Sequence, residues 1–348
     1  TYQPLGCSLR QSNFQPAKSR CPNRTSMASM KCREQPDQSS REPNKGLLVS
    51  MSINSTETAQ HDPKEWLGRK LGRYEIREIL GVGSKGFVFK AHDTSIGRDV
   101  AIKLLTEQSL ADEVDRARVL SEAKSAGKFS HVNSVAVHEV AQEDSFTYLV
   151  MEIVSGGSAD DHIQQYGAYS VAEATRMTIE ASQGLSAAHQ QGFVHRDINP
   201  RHLLLTEDDT VKVSDFRLAK DTSGQNSQNL TIAGQVIGTP HYMSPEQCDL
   251  QTVDARSDVY SLGATYYSLL TGKRPYENLK NDMQVILAHH QADPPDPRDV
   301  RPEVPDVCAQ IIEQAMARRP EQRYQSMEEL RGDLEAVLEA IKWGTSAG

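Results

Sequence analysis

A glycine-rich turn is the first part of this sequence whose residue types and spacing suggest chemistry. The segment 81–88 reads Gly-Val-Gly-Ser-Lys-Gly-Phe-Val, so glycines stand at positions 81, 83 and 86 between two predicted strands. Glycine lets the backbone come close to phosphate oxygens and donate N–H groups to them. In dinucleotide-binding proteins a helix follows the same glycine spacing. Here a strand follows, which disfavours a dinucleotide site.

A lysine in an apolar strand is the second such feature. Lys103 ends the run Val-Ala-Ile-Lys, downstream of the glycine-rich turn. Burying a lysine alone is costly, so it needs a counter-charge. Phosphate oxygens and a helix carboxylate are its natural partners, and Glu122 is the carboxylate that we predict. A lone lysine on a strand could equally be an exposed edge charge, but the preceding glycine-rich turn favours the buried alternative.

The elements that must position these residues begin with strands. Order is expected to begin near Leu71, and short apolar runs at 74–76 and 87–89 predict strands on either side of the glycine-rich turn. Further runs at 100–105 and 148–151 predict two more strands, and Asp112 to Phe129 predicts a helix. Residues 67–155 are therefore predicted to form a small, strand-rich lobe.

Helices dominate the second part of the sequence. Ser170 and Glu173 have capping-box spacing before a helical pattern, which Gly192 ends. The predicted helices run from 171 to 190, from 259 to 270 and from about 327 to 341, and a proline-rich loop covers 293–305. Residues 156–348 are therefore predicted to form a helical lobe. Together the two lobes make an α+β architecture.

The N-terminal segment 1–66 has a different composition. It is rich in Ser, Asn, Gln, Pro and charged residues, and it cannot bury enough apolar surface to offset its chain entropy. We predict that it is disordered. The sequence begins with Thr1, and Met51 is an alternative start position, in which case the residues before it come from an over-extended gene prediction.

Composition excludes some classes of partner. The net charge of −9 and the pI near 5.7 argue against a general nucleic-acid binder. No apolar run approaches the ~18 residues of a membrane span, and no secretory signal is visible, so a cytoplasmic protein is expected. The five cysteines fit neither a metal knuckle nor a disulfide framework. We expect His289 and His290 to lie at a solvated helix end.

The order of these elements resembles the eukaryotic-type Ser/Thr protein kinase family. The resemblance continues in His-Arg-Asp at 195–197, Asp-Phe at 215–216, Ser-Pro-Glu at 244–246 and Asp-Val-Tyr-Ser-Leu-Gly at 258–263. The segments Gly-Thr-Pro-His-Tyr-Met-Ser-Pro-Glu-Gln at 238–247 and Arg-Pro-Glu-Gln-Arg-Tyr at 319–324 resemble its bacterial branch. The resemblance covers residues 71 to 342. It implies a two-lobed kinase-like fold that binds ATP and Mg²⁺ between the lobes.

The resemblance also implies roles for individual residues. Asp197 would accept or orient the substrate hydroxyl proton, Lys103 would hold the α- and β-phosphates oriented by Glu122, and Asp215 would bind the metal. Met151 would precede the adenine-contacting hinge, and Glu246 and Arg323 would form a buried ion pair. Asp258 would support the catalytic loop, which is the segment 195–202. The implied ATP-binding residues are Gly81, Val82, Gly83, Ser84, Lys85, Gly86, Val88, Ala101, Lys103, Glu152 and Val154.

Three positions depart from the family's pattern. Asn199 stands where the family usually has a lysine that stabilises the transferring phosphate, and His202 stands where it has an asparagine metal ligand. A histidine nitrogen suits hard Mg²⁺ poorly and softer cations better, which makes His202 a doubtful Mg²⁺ ligand and brings Mn²⁺ into consideration. Arg217 replaces the glycine that follows Asp-Phe. These changes affect the phosphate and metal end of the cleft.

Two functions remain open at this point. The first is an ATP-dependent kinase that phosphorylates Ser or Thr of other proteins or of itself. The second is a pseudokinase that binds ATP or acts as a scaffold with little phosphate transfer. Arg196, next to Asp197, favours control by phosphorylation of the activation segment, with Thr231 as the preferred site, unless the segment's hydroxyls are ordinary loop residues. Thr239 resembles the threonine of Ser/Thr-specific kinases.

Overall fold

The computed structural model describes residues 62–83, 86–105, 129–143, 146–216, 231–232, 235–236, 240–249 and 251–346. Its element order confirms a strand-rich N-lobe followed by a helical C-lobe. The predicted helix from Asp112 lies outside the described residues as far as residue 128. Ser84, Lys85, Glu122, Arg217 and Thr239 also lie outside them.

The N-lobe is built on an antiparallel sheet of six strands in the order β1-β2-β3-β4-β6-β5. The strands are β1 (Lys70–Leu71), β2 (Tyr74–Gly83), β3 (Gly86–Asp93), β4 (Arg98–Leu105), β5 (Val137–Glu143) and β6 (Phe146–Met151). All four strands predicted from sequence are present, because β-branched and aromatic residues alternate along them and glycines mark the turns. The turn between β2 and β3 is the predicted glycine-rich turn.

Alternation along the central strands gives this sheet two different faces. Ile102 pairs with Phe89 and Val150, and these side chains are fully buried in the N-lobe core. Successive residues of a strand point to opposite faces. Lys103 and Ala101 therefore project from the other face, which turns towards the C-lobe.

A short helix precedes the sheet within the segment that the sequence analysis assigned to disorder. Pro63–Trp66 forms a 3-10 helix that Asp62 caps by accepting a hydrogen bond from the Lys64 N–H. The Trp66 side chain is buried, and its ring meets Phe146 edge-on at 4.8 Å between centroids. A large aromatic side chain contributes much of the core of a small lobe. The described secondary structure therefore begins at Pro63, before the predicted boundary at residue 67.

The C-lobe contains seven helices within the described residues. They are α1 (Ala159–Tyr166), α2 (Val171–Gln190), α3 (Pro245–Cys248), α4 (Ala255–Thr271), α5 (Asp282–Gln291), α6 (Asp306–Ala315) and α7 (Met327–Ser346). The short strands are β7 (Leu203–Leu205), β8 (Val211–Val213), β9 (Thr231–Ile232) and β10 (Gln235–Val236). None of the described helices has the length and apolarity needed to cross a membrane.

Local sequence signals set the ends of these helices. At the start of α2, Ser170 and Glu173 form the predicted reciprocal capping box. The central helix α4 begins four residues earlier than predicted because Asp254 caps it, and it ends at Gly272, which has a positive φ of 68°. From Ser257 to Thr271 every residue of α4 is buried, as its apolar pattern predicted. Helix α7 extends to Ser346, beyond the predicted end near residue 341.

One histidine differs from its predicted setting. His289 is not solvated: it is only 1% exposed, its Nε2 lies 2.8 Å from the Pro240 carbonyl oxygen, and its Nδ1 lies 2.6 Å from the Tyr260 hydroxyl. Its polar partners explain how a histidine can occupy the core. Burial lowers the pKa of His289 to about 4. His290, by contrast, is partly exposed and lies 3.3 Å from Asp249.

Backbone hydrogen bonds attach the chain on either side of β5 and β6 to the C-lobe strands β7 and β8. Before β5, the Val135 N–H donates to the Val213 carbonyl, and the Val213 N–H donates to the Asn133 carbonyl. After β6, the Gly156 N–H donates to the Leu205 carbonyl at 2.8 Å. A Cβ at Gly156 would lie 2.5 Å from that oxygen, so only glycine permits this approach.

Candidate functional site

The glycine-rich turn lies between the paired ends of β2 and β3. Gly81 pairs with Val88 and Gly83 pairs with Gly86 across the β2–β3 turn. Gly86 has a φ of 134°, and a Cβ there would lie 2.0 Å from the Leu104 carbonyl oxygen. Its own sheet therefore requires glycine at this position. A Cβ at Gly81 would meet no described heavy atom within 4 Å, so packing within the described chain does not explain that glycine.

The cleft face of the sheet carries the residues predicted to contact adenine. Lys103 pairs with Val88 on one side and Leu149 on the other, while Ala101 pairs with Met151. All five share a face by register. Ala101 and Leu149 are buried but are not part of the N-lobe core cluster. They form an apolar wall on the cleft side, and Leu149 is a wall residue that the sequence analysis did not predict.

The segment after β6 connects the lobes and offers backbone polar groups to the cleft. The Glu152 N–H donates to the Ala136 carbonyl, and the Glu152 carboxylate lies 3.0 Å from Lys212 Nζ on β8. Within the described residues, neither the N–H nor the carbonyl of Val154 makes a hydrogen bond. Both groups are therefore available to a ligand with adenine-like donors and acceptors. Lys212 was not predicted, although a lysine between two buried valines is a signal for a paired charge.

A buried aspartate of helix α4 binds the backbone of the catalytic loop, as predicted. Asp258 on α4 is fully buried, and its carboxylate accepts the N–H groups of His195 and Arg196, each at 2.8 Å. It also lies 2.7 Å from His189 Nε2. Burial alone would raise the pKa of Asp258, but the hydrogen bond with His189 and the backbone N–H group outweigh it, and the pKa is lowered.

Lys103 and Asp215 meet across the cleft. Lys103 Nζ lies 2.5 Å from Asp215 Oδ1. This contact links the N-lobe sheet to the segment that follows β8. The Lys103 side chain is 11% exposed and that of Asp215 is 29% exposed. Asp215 has a left-handed φ of 62°, a conformation that non-glycine residues seldom adopt. The predicted partner Glu122 lies outside the described residues, so its pairing with Lys103 stays a prediction.

His202 contacts both aspartates of the site. Its Nδ1 lies 2.5 Å from the Asp197 carbonyl oxygen, and its Nε2 lies 3.6 Å from Asp215 Oδ2. The Asn199 Nδ2 lies 3.1 Å from His202 Nδ1. The Asn199 side-chain amide donates to the Asp197 carbonyl at 3.0 Å, while its Oδ1 accepts the Arg201 N–H. Two of the three departures thus lie beside Asp197.

Phe216 fixes the direction in which Asp215 points. Its ring packs edge-on against His195 at 4.9 Å and against Phe129 at 5.5 Å between centroids. His195 is fully buried, its Nε2 lies 2.7 Å from the Ser214 carbonyl oxygen, and burial lowers its pKa to about 4. With Phe216 packed inwards, Asp215 faces Lys103. Neutral His195 is therefore part of the support for both segments.

The predicted ion pair of the C-lobe is present. Arg323 donates to both carboxylate oxygens of Glu246, at 2.7 and 2.8 Å, and both side chains are buried. This bidentate geometry is the strongest form of a guanidinium–carboxylate contact. Thr231, the predicted phosphorylation site, lies in β9 and pairs with Val236 of β10.

The comparisons with known proteins match this architecture. The model of the protein kinase domain family matches residues 74–333, from the start of β2 into α7. The chain belongs to the protein kinase domain family. The match contains the glycine-rich turn, Lys103, Asp197 and Asp215.

Several bacterial Ser/Thr kinases are similar in sequence. A probable serine/threonine-protein kinase of Streptomyces coelicolor is 37% identical over 280 residues, covering 79% of this chain and 41% of the relative. Serine/threonine-protein kinase PrkC of Bacillus subtilis is 33% identical over 275 residues, covering 79% and 42%. These matches confirm the resemblance to the bacterial branch. The chain spans about two fifths of the length of these curated relatives.

A solved structure supports the fold separately. The crystal structure of the Mycobacterium tuberculosis PknI kinase domain aligns with a TM-score of 0.62 at 24% identity, covering 78% of this chain and 98% of that domain. At this identity the likeness bears on the fold alone. It confirms the predicted two-lobed kinase fold.

Proposed function

We propose that this chain is an ATP-dependent protein kinase that transfers the γ-phosphate to Ser or Thr hydroxyls of proteins. The observation that carries the proposal is the meeting of Lys103 from the N-lobe with Asp215 from the C-lobe, with His202 linking Asp215 to Asp197. Two carboxylates and a lysine at one end of an apolar cleft suit the transfer of a highly charged group. Catalysis of this reaction depends on positioning and on neutralising charge.

The adenine end of the cleft has the groups to hold a purine ring. Val88 and Ala101 would cover its faces, while the backbone of Glu152 and Val154 would bind its edge. The phosphates would lie under the turn formed by Gly81 to Gly86, including Val82, Ser84 and Lys85. An extended nucleotide held at both ends would present its terminal phosphate near Asp197.

At the phosphate end, each charged residue has a separate task. Lys103 would bind the α- and β-phosphates, with Glu122 as its orienting carboxylate, and Asp215 would bind the divalent cation that neutralises phosphate charge. Asp197 would accept or orient the proton of the attacking hydroxyl. Because Asp258 holds the N–H groups of the preceding residues, the loop that carries Asp197 is already in place before substrate binds.

The cation site fits one Mg²⁺ better than two. Within the described residues there is no cluster of three or more His, Cys, Asp or Glu side chains that could hold a metal, so phosphate oxygens and water must complete the coordination. Asp215 supplies the carboxylate oxygen that Mg²⁺ prefers. His202 presents Nε2 towards Asp215, and a nitrogen ligand at that point would favour Mn²⁺ over Mg²⁺. We therefore propose that Mn²⁺ can replace Mg²⁺ in this site.

The departures from the family pattern are expected to slow the reaction. Asn199 brings no positive charge to the transferring phosphate, and its amide is already bonded to the Asp197 carbonyl. Losing one electrostatic group of this kind costs about 10²–10³-fold in rate. His202 and Arg217 are the other two departures. Restoring the family's residues there, with His202→Asn and Arg217→Gly, should raise the rate. An unchanged rate in that double variant would mean that these positions are not the cause.

The same proposal includes protein substrates, among them the chain itself. It also includes a cytoplasmic location, where ATP is available. Thr231 is the site at which we expect self-phosphorylation to occur. Arg196 is positioned next to Asp197, and an arginine there can pair with a phosphate group. Mass spectrometry of the protein after incubation with ATP tests the site.

The decisive experiment is transfer of label from γ-labelled ATP in the presence of Mg²⁺ or Mn²⁺, with the Asp197→Asn variant as control. We expect label in the protein or in a general Ser/Thr substrate above the level of the control. No transfer above the control with either cation would refute kinase activity. Stabilisation of the same sample by ATP in a thermal-shift assay would then identify a nucleotide-binding pseudokinase.

A further inference from the structure

Gln247 has a side-chain amide whose orientation is fixed by its partners. It lies in the short helix α3 and is 8% exposed. Its Oε1 lies 3.1 Å from both the backbone N and the hydroxyl oxygen of Ser244, and its Nε2 lies 2.7 Å from the Arg196 carbonyl oxygen. A backbone N–H can only donate and a carbonyl can only accept, so the amide cannot be reversed. One side chain thus caps α3 and reaches the catalytic loop.

The carbonyl that Gln247 holds belongs to a backbone position that needs support. Arg196 has a left-handed φ of 65°, which is unfavourable for a residue with a Cβ. Such conformations persist where surrounding contacts fix them. The Arg196 N–H donates to Asp258, and the Arg196 carbonyl accepts from Gln247, so the two sides of this residue are held by different parts of the C-lobe.

The peptide bond after Arg196 leads directly to the proposed catalytic aspartate. Gln247 binds its carbonyl, while its N–H, which belongs to Asp197, points to His195 Nδ1 at 3.3 Å. His195 Nε2 lies 2.7 Å from the Ser214 carbonyl, which fixes the proton on Nε2 and leaves Nδ1 as the acceptor. Both polar ends of this peptide are therefore bound. The plane of the peptide sets the direction in which Asp197 leaves the backbone.

The segment that carries Gln247 is firmly attached to the C-lobe core. The Tyr242 carbonyl accepts the Ser261 hydroxyl at 2.8 Å, and Glu246 is paired with buried Arg323. This segment also follows the part of the chain that contains Thr231. Its attachment allows Gln247 to act on the catalytic loop from a fixed position.

We propose that Gln247 is a positioning residue for Asp197, which it orients through the Arg196 carbonyl. The inference rests on the proposed kinase function only for its effect on rate. Gln247 does not touch ATP, so its loss should change the turnover rate and leave nucleotide binding unchanged. This separates it from Lys103 and Asp215, which are proposed to bind phosphate and metal.

Two substitutions separate positioning from helix capping. Gln247→Glu keeps an acceptor for Ser244 but removes the donor to Arg196, whereas Gln247→Met removes both. We expect kcat to fall about 10–100-fold in both variants, on the scale of a small displacement of a catalytic group. KM for ATP and the thermal shift caused by ATP should stay at the wild-type values. Gln251→Glu is the matched control, because Gln251 is exposed and bonds to Asp249 instead, and its kcat should not change.

A second measurement tests the inference without relying on activity. Hydrogen–deuterium exchange of the peptide covering residues 193–203 should be faster in Gln247→Glu than in the wild type and in Gln251→Glu. Wild-type kcat and wild-type exchange in Gln247→Glu would overturn the inference. So would a loss of rate that is matched by a loss of ATP binding and of global stability. A wild-type protein without phosphate transfer would refute the kinase proposal, and the exchange comparison would still decide the role of Gln247.

Discussion

Removing Arg323 should destabilise the C-lobe more than removing an exposed arginine does. Its side chain is fully buried and donates twice to Glu246. It also donates to the carbonyl oxygens of Ala317, Arg256 and Arg318 at 2.7–3.0 Å. The guanidinium thus makes five donor contacts to acceptors in the core. The perturbation that we consider is Arg323→Met, which keeps an apolar stem and deletes the charge and all the donors.

The size of this destabilisation follows from the buried groups that lose their partner. Glu246 would be left as a buried carboxylate whose hydroxyl partner is Ser257. An uncompensated buried charge of this kind costs about 3–5 kcal/mol. The carbonyls of Ala317 and Arg318 add about 1 kcal/mol each, whereas the Arg256 carbonyl lies in the first turn of α4 and keeps the helical N–H four residues later. We therefore expect the free energy of unfolding to fall by about 5–7 kcal/mol, equivalent to a drop in Tm on the order of 10–20 °C.

Urea unfolding followed by circular dichroism measures this change, with Arg331→Met as the matched control. Arg331 is partly exposed and pairs with the exposed Glu335 on α7, and such surface pairs contribute about 0–1 kcal/mol. If Arg323→Met loses no more stability than Arg331→Met, the reasoning about the buried pair is wrong.

The pH dependence of the same variant gives an independent test of the cause. Burial raises the pKa of Glu246, but the hydrogen bonds and charge of Arg323 outweigh it, so in the wild type the pKa is lowered. That contribution to stability is present at neutral pH and is lost as the pH falls through the lowered pKa. Without Arg323, burial is opposed only by the hydrogen bonds from Ser257 and the backbone, so the pKa of Glu246 should rise and protonation should relieve the buried charge. The difference in stability between variant and wild type should therefore shrink as the pH is lowered from 7.

Three further predictions concern other parts of the molecule. Gly86→Ala should lower both Tm and ATP affinity, since its Cβ would lie 2.0 Å from the Leu104 carbonyl oxygen; unchanged nucleotide binding in a thermal-shift assay would contradict this. Burial lowers the pKa of His195 and His289 from 6.5 to about 4, so the unfolded chain binds more protons in that range, and stability should fall as the pH drops from 6.5 towards 4. His289→Gln should flatten that slope in urea titrations, and an equally steep slope would exclude His289 as a source. Thr231→Ala should abolish the main phosphopeptide after incubation with ATP, and its persistence would place the site elsewhere.

Much of the fold was predictable because its signals are local. The capping box at Ser170 and Glu173 encodes the start of α2 within four residues, and the alternation around Lys103 encodes a strand with two different faces. The Glu246–Arg323 pair spans 77 positions. Only the family resemblance could connect these residues, because no local pattern does.

The missed features depend on packing between distant segments. His289 lies one helical turn after buried Val285, and that spacing is the signal that could have placed it in the core. Its polar partners Tyr260 and Pro240 come from other elements, so the sequence alone did not reveal how its burial is satisfied. Gln247 was visible only as part of a family motif, and its contact with Arg196 requires the tertiary structure.

The backbone attachments on either side of β5 and β6 have a mechanical consequence. One lies at Asn133–Val135 beside Val213, and the other lies where Gly156 meets Leu205. A chain segment that is fixed at a point on either side would rotate about the line through both points more readily than it would slide. Displacement in a rotation grows with distance from the axis. A small rotation would therefore leave the adenine wall near Met151 almost still and carry the glycine-rich turn through a wide arc, opening the cleft at its phosphate end.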